Sequence, residues 1–472
     1  MPVSSTYRAD AVYPSIGEGF YDPVDAAAFP KLETRYRNQR WADRVGLGSL
    51  TSEEWLKYFG RFEALPQNMS APLAMRYHGH QFQNYNPEIG DGRGFLYAQL
   101  RDADDHRLLD LATKGSGQTP FSRFGDGRLT LKGGVREVLV TALLEALGVY
   151  TSKSFSLIET GEQLYRNDEP SPTRSSVLVR LGHSHIRFGT FQRHAFEQNA
   201  ERLQALVDYS VAHYYPDLAS LDRTEKIGAF LRSVCEASAG LVAQWMAAGF
   251  VHGVLNTDNM NITGESFDYG PYRLLPTYQP GFVAAYFDQT GLYAFGKQPE
   301  VVLWNLKQLA GALHLICNKD TLVEALNAYG PAYEAAVRRS MLGRLGLELK
   351  NADEDVALLQ SLTKFLFESQ VGFEQFFFDW FGGQVSEPRA MQSPEAAKYA
   401  GGYFDDLKMR LDGYSSKAAA KLDAPYFGAK QPCTLLIDEI EAIWDRIAEH
   451  DDWAVFEDKL AQIEQMRQAL QD

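Results

Sequence analysis

The chain has 472 residues, 45% of them hydrophobic and 23% charged, and a net charge of −15. This is an ordinary globular composition, long enough for two or three domains or one two-lobed enzyme, and it excludes wholesale disorder. The acidic balance argues against a general binder of nucleic acid or of anionic membrane, because neither polyanion is drawn to such a surface.

Three cysteines occur, Cys235, Cys317 and Cys433, far apart and without a C-x-x-C. A disulfide framework or a structural zinc site is therefore not expected, and a reducing compartment is. The sequence shows no basic-then-apolar leader and no apolar run near the roughly 18 residues of a membrane helix, so the expectation is a soluble cytoplasmic protein.

Residues 1–74, rich in aromatics, prolines and acids, read as an N-terminal extension with a helix over Thr51 to Phe62 opened by a Ser52 cap. From Met75 a His/Gln/Asn-rich stretch leads into Gly90-Asp91-Gly92-Arg93-Gly94, then a strand over Phe95 to Leu100. A polar turn follows, and a second strand over Arg107 to Lys114 ends on lysine. The next segment, Lys114 to Arg128, holds four glycines and no hydrophobic periodicity. It must be a loop, and its glycines let backbone N–H groups approach a bound anion, with Lys114, Arg123 and Arg128 adding charge.

Val135 to Leu147 has helical spacing, with Val135, Val138, Leu139, Ala142, Leu143 and Ala146 on one face and Gly148 as its stop. Glu137 lies on the flank of that face, either solvated or reaching a cleft. Ser154 to Glu159, Gln163 to Arg166 and Ser175 to Leu181 read as further antiparallel strands, the first two joined at Thr160-Gly161-Glu162. Arg180 and Arg187 sit among apolar neighbours, and a buried arginine needs an anion at its planar fork. Internal carboxylates and a ligand phosphate both satisfy that need.

Beyond Phe196 the chain turns helical, over 196–214 and 224–248, then Val301 to Ile316 and a stretch from Leu322 to Leu342 interrupted at Gly330-Pro331. The aromatic run Phe373 to Phe381 reads as core. Thr434 to Leu470 reads as one or two amphipathic helices.

Between these helices lies VHGVLNTDNMNITGESFDYGPY, Val251 to Tyr272. Protein kinases use H-R-D-L-x-x-x-N followed by D-F-G to hold metal and phosphates. His252 to Asn259 and Asp268-Tyr269-Gly270 are similar to that frame, with Gly253 in the arginine position and Val254 where the catalytic aspartate would stand. The order glycine loop, strand lysine, helix glutamate, helical block, His…Asn and Asp-Tyr-Gly points to a bilobal binder of ATP and Mg²⁺ or Mn²⁺. Asn259 and Asp268 are hard oxygen ligands suited to such ions.

The runs YHGHQFQNYNPEIGDGRG, KGSGQTPFSRFGDGR, RLGHSHIRFGTF and HGVLNTDNMNITGESFDYGPY together resemble the selenoprotein O (SelO) pseudokinase family of protein adenylyltransferases, most specifically between residues 75 and 300. The resemblance implies an α+β, protein-kinase-like bilobal fold with N-terminal and C-terminal extensions. Its parts would be an N-lobe over 75–192, a mainly helical C-lobe over 193–390 and a C-terminal helical extension over 391–472. It also implies a flipped ATP, with AMP transferred to Ser, Thr or Tyr hydroxyls of protein substrates and pyrophosphate released.

Carried over by position, Gly90, Gly92, Arg93, Lys114, Asp126, Gly127, Arg180 and Arg187 would bind the nucleotide and Glu137 would pair with Lys114. Asn259 and Asp268 would hold the metal, Asp268 also meeting the nucleotide, and Asp258 would take the hydroxyl proton. Beside this stand UMP transfer from UTP with Mn²⁺ and a silent ATP-binding scaffold. The chain departs from the family pattern after Tyr272, at Gly182-His183, and in having no cysteine beyond Cys433, where the family often carries a redox-active cysteine or selenocysteine. These departures describe a divergent member.

Overall fold

A computed structural model describes residues 3–471. Strands concentrate before residue 183 and helices after it, an α+β division. The first strands are Tyr21–Pro23 (β1), Glu33–Arg37 (β2) and Leu73–Met75 (β3), followed by the small hairpin Gly79–Gln81 (β4) and Asn84–Asn86 (β5). Then come Leu96–Arg101 (β6), Leu108–Lys114 (β7), Leu129–Thr130 (β8), Lys153–Leu164 (β9) and Thr173–Gly182 (β10). The main sheet is antiparallel in the order β1-β3-β6-β7-β10-β9-β2, with β8 pairing β10. The first 37 residues thus supply both outer strands.

Strand alternation decides which side chains meet. On β10, Val177, Val179 and Leu181 join one core cluster while Leu178 joins another on the opposite face. Arg180 therefore shares a face with Leu178. Leu178 is paired with Lys114 and Arg180 with Ala112, which makes Lys114 and Arg180 diagonal neighbours on that face. The other face is covered by Gln39–Arg44 (α1) and Ser52–Phe59 (α2), whose Trp41, Trp55 and Phe59 pack with Tyr97, Phe155 and Val179.

Helix Leu131–Ala146 (α3) lies across β9 and β10. It is followed by Phe188–Phe196 (α4), Ala200–Tyr214 (α5) and the long Arg223–Ala247 (α6). A short pair, Phe250–Val251 (β11) and Arg273–Leu274 (β12), brackets the His252 to Tyr272 segment. Gln298–Leu313 (α7), Lys319–Leu326 (α8), Tyr329–Arg344 (α9), Ala352–Ser369 (α10) and Phe373–Asp379 (α11) continue the helical part. Glu387–Ala390 (α12), Tyr403–Leu411 (α13), Ile437–His450 (α14) and Ala454–Gln471 (α15) complete it. The Phe373 to Phe381 run is buried core, with Phe373, Phe376, Phe377 and Trp380 in one cluster with Phe365, and Phe378 and Phe381 stacked on Phe427 in another. Helix α15 returns to pack on α3, which is thereby held between the sheet and the C-terminal helices, with Lys132 of α3 bonding Glu441 of α14 at 2.6 Å.

Several local expectations change. The cap of α2 is Thr51, in a reciprocal box with Glu54 (Glu54 N–H to Thr51 Oγ1, 3.2 Å; Thr51 N–H to Glu54 Oε2, 2.9 Å), and Ser52 is the first helical residue. The two strands expected around Thr160-Gly161-Glu162 are one strand. Ser175 accepts the Glu162 N–H at 3.1 Å and donates to its carbonyl at 3.0 Å, which carries the ladder across the irregularity. The α8/α9 break falls at Asn327-Ala328, because Pro331 occupies the first turn of α9, where a missing N–H costs nothing. No helix of the described residues is long and apolar enough to cross a membrane.

Candidate active site

A cleft of about 730 Å³ opens between the sheet and the His252 to Tyr272 segment. Gly90, Gly92, Arg93, Lys114, Asp126, Gly127, Arg180, Arg187, Asp258 and Asp268 all line it. Glu137 lies beneath its floor and Asn259 beside it, on the 3₁₀ turn Thr257–Asn259 that also carries Asp258.

The floor is an ion network. Lys114 Nζ lies 2.6 Å from Glu137 Oε2 and 2.9 Å from Asp268 Oδ1, and Arg180 Nη1 lies 3.1 Å from the same Asp268 oxygen and 3.6 Å from Glu137 Oε1. Glu137 is wholly buried, on the face of α3 turned to the sheet. Burial works against the charge of Asp268, but Lys114, Arg180, Arg187 and Arg93 outweigh it and hold the carboxyl well below the usual range. Asp268 has a positive φ of 63°, a left-handed conformation that Asp tolerates better than most residues. Arg187 bonds Asp91 Oδ1 at 3.1 Å and the Asp258 carbonyl at 3.1 Å, with its guanidinium over Tyr77, 4.3 Å from the ring centre. Both arginines thus have internal anions and also face the cleft.

The segment from His252 to Asn259 is tied down residue by residue. Burial pushes the ring of His252 to lower pKa, and because a carbonyl can only accept, Nε2 donates to the Phe267 carbonyl at 3.1 Å. Asn259 Nδ2 donates to the carbonyl of Val254 at 2.9 Å, which leaves Oδ1 as the atom able to take a cation. Thr257 Oγ1 accepts the His80 N–H at 2.7 Å, and Asn256 Oδ1 accepts both the Phe82 N–H and the Tyr293 hydroxyl. Asp258 Oδ1 is buried without a hydrogen-bond partner, and burial raises that carboxyl to about 6 against the pull of Arg187.

No group of three or more His, Cys, Asp or Glu among the described residues forms a metal cluster. What is present is an ionised Asp268, an Asn259 oxygen and the orphaned Asp258 oxygen, a sparse oxygen set. That suits an ion completing its shell with water and phosphate, as Mg²⁺ does.

The loop of residues 115–128 roofs the cleft. Gly127, at φ 70°, crosses Gly117 so closely that a Cβ would overlap its backbone, and the Gly117 N–H donates to the Gly127 carbonyl at 3.1 Å. A Cβ at Gly90 would stand 2.5 Å from the Phe121 ring. Asp126 is held by both terminal nitrogens of Arg166 at 2.8 and 3.0 Å.

The sequence matches the family described as protein adenylyltransferase SelO over residues 4–464. The chain belongs to the SelO family. The protein nucleotidyltransferase YdiU of Trichormus variabilis is 43% identical over 476 residues, covering 97% of this chain and 96% of its own. That of Trichodesmium erythraeum is 44% identical over 466 residues, with 95% and 96% covered. The Vibrio cholerae protein is 38% identical over 347 residues, covering 74% and 69%. As a SelO family member the chain is a nucleotidyltransferase.

In this SelO chain the cleft also contains residues that the sequence did not single out. Asp91, in the middle of the glycine loop, pairs with Arg187, and burial raises its carboxyl despite that partner. The Arg187 guanidinium lies 4.3 Å from the Tyr77 ring centre and 5.0 Å from that of Phe267, and Arg166 clamps Asp126. Asp91 could have been suspected from its position between Gly90 and Gly92. The Arg166 contact leaves no local trace, since its partner is 40 residues away.

Proposed function

We propose that this chain transfers AMP from ATP to Ser, Thr or Tyr hydroxyls of protein substrates, releasing pyrophosphate, on a protein-kinase-like bilobal frame. On this reading residues 75–192 and 193–390 are the two lobes, flanked by extensions over 1–74 and 391–472. The observation that carries it is the Lys114–Glu137–Asp268–Arg180 network at the floor of a cleft roofed by glycines.

Gly90, Gly92 and Gly127 let the backbone close on the nucleotide, and Arg93, Lys114, Arg180 and Arg187 face its phosphates, with Asp126 at the rim. Glu137 fixes Lys114. Asn259 and Asp268 would hold a divalent ion, Mg²⁺ or Mn²⁺, which when bound offsets the charge of the triphosphate.

The acceptor oxygen forms a bond to the α-phosphorus as the bond from that phosphorus to the pyrophosphate oxygen breaks. The hydroxyl proton passes to Asp258, whose unpartnered Oδ1 supports this role in place of an acid at Val254. Lys114, Arg180 and Arg187 stabilise the charge that gathers on pyrophosphate. The cytoplasm is the proposed setting, a reading supported by three buried cysteines with free thiols.

The test is incubation with ATP labelled at the α- or the γ-phosphate. Label reaching protein from the α-position only is expected. Transfer from the γ-position would make the chain a kinase, and binding without transfer from ATP or UTP would make it a scaffold.

A further inference from the structure

The segment after Asp268 leaves two adjoining aromatic rings outside. In the stretch of residues 281–290 Ala284, Ala285 and Asp288 are buried and Phe282 and Val283 are half-buried. Tyr286 is 82% and Phe287 46% exposed, and the two rings meet edge to face at 5.1 Å. They are not on a loose loop. Asp288 accepts the N–H groups of Leu292 and Tyr293 at 2.9 and 2.8 Å and closes the turn beneath them.

From Phe287 the aromatic contacts run inward. Its ring lies 5.9 Å from Phe82, and Phe82 lies 4.9 Å from Tyr293, whose hydroxyl donates to Asn256 at 2.7 Å. Phe82 has a left-handed backbone, φ 48°, held by its N–H bonds to Asn256 Oδ1 and Tyr293 Oη. On one side of Phe82 is Gln81, which lines the cleft together with Asp258. The ladder Tyr293–Phe82–Phe287–Tyr286 therefore starts at the turn that carries Asp258 and ends in open solvent. Two adjoining exposed aromatics on a pinned turn mark a surface built for contact, because such rings supply large rigid area at little entropic cost.

We propose that Tyr286 and Phe287 dock the protein acceptor by a large apolar side chain lying a few residues from the hydroxyl to be modified. This rests on the transferase reading above, since the acceptor has to arrive at Asp258 and the ladder is continuous with that turn. The occupant is a polypeptide segment with a Phe, Leu or similar residue at a fixed offset from its Ser, Thr or Tyr. The surface sets which hydroxyl is presented and takes no part in holding ATP.

The experiment uses the full chain and synthetic peptides with a single Ser, Thr or Tyr in a Gly/Ser frame, scanning Leu, Phe, Gly and Asp through the flanking positions. With α-labelled ATP, one offset bearing Leu or Phe is expected to take label about tenfold faster than Gly there, the effect of burying one such side chain. The Tyr286→Ala/Phe287→Ala variant should lose that preference while labelling the Gly-flanked peptide and binding ATP, measured by calorimetry, as the parent does. Labelling without any offset preference, or a preference the variant keeps, overturns the proposal. Where no peptide takes label the transferase reading fails instead. Anisotropy of the same peptides, fluorescently tagged, then reads the surface directly: tighter binding of the Leu or Phe peptide that the variant loses supports it, and equal affinity overturns it.

Discussion

At the floor of the cleft, buried Lys114, Glu137 and Arg180 meet half-buried Asp268 with opposite charges in contact at 2.6–3.1 Å. Three residues before Asp268, Glu265 is buried, and its carboxylate accepts the backbone N–H of His183 at 2.8 Å. Burial raises Glu265 to about 7 and lowers His183 to about 4, and it lowers Lys153 as well. His183 accordingly sits neutral, Nδ1 meeting the Tyr150 hydroxyl at 2.5 Å. Desolvation acts on both groups. Ions survive it where complementary charges touch closely, as around Asp268, while Glu265 and His183, which meet only neutral partners, drift toward neutrality. Lys114, Arg180 and Asp268 line the active-site cleft and Glu265 and His183 do not.

The sharpest way to break this contrast is to remove a shared anion. Asp268→Ala removes one of the two carboxylates that Lys114 and Arg180 share and leaves them Glu137, and transfer of α-label should fall by roughly a thousandfold. Retained transfer would mean that the network is structural. Lys114→Met should lower transfer by about a hundredfold and cost about 3–5 kcal/mol of stability, because the buried Glu137 keeps only its longer contact with Arg180. Adding Glu137→Gln should restore most of the denaturation midpoint and none of the activity.

The neutral group makes a prediction about pH. The folded chain holds a proton on Glu265 up to about pH 7, whereas the unfolded chain releases it near the ordinary value, so this contribution is present at low pH and lost as pH rises from about 4.5 to 7. His183 works the other way, present above about 6.5 and lost as pH falls to about 4. The two nearly cancel. Glu265→Gln should uncover the histidine, and the variant should lose about 3 kcal/mol more than the parent between pH 7 and 4.5 in urea melts. The smallest effect belongs to the rim, where Arg166→Ala breaks a half-exposed pair with Asp126. A rise of about two- to threefold in the KM for ATP, with kcat unchanged, is expected.

Much of the cleft was legible because its parts are local. A glycine cluster, a lysine ending a strand and a glutamate on the flank of a helix's apolar face each leave a pattern within a dozen residues. Strand alternation and register then place Lys114 beside Arg180. The partners that complete them leave no such trace: Asp91 with Arg187 spans 96 residues, Phe82 with Tyr293 spans 211, and the far edge strand comes from residues 33–37. The misplaced α8/α9 break has a different cause. Proline at the end of a helix's first turn is permitted, and the pattern alone does not say which side of the break it falls on.

Helix α3 lies on β9 and β10 on one side and against α15 on the other. Arg40 and Trp41 both reach Glu145 near its C-terminal end, and Tyr272 donates to the Arg136 carbonyl at 2.7 Å near its start. On the proposed kinase-like frame α3 would stand where kinases swing a helix to throttle the lysine–glutamate pair, and such a swing needs a free side. Here, for Glu137 to leave Lys114, two packed interfaces must part at once. The fold therefore sets this pair, and on the proposed reading the pace of transfer is left to the supply of nucleotide and to which polypeptide comes to the mouth of the cleft.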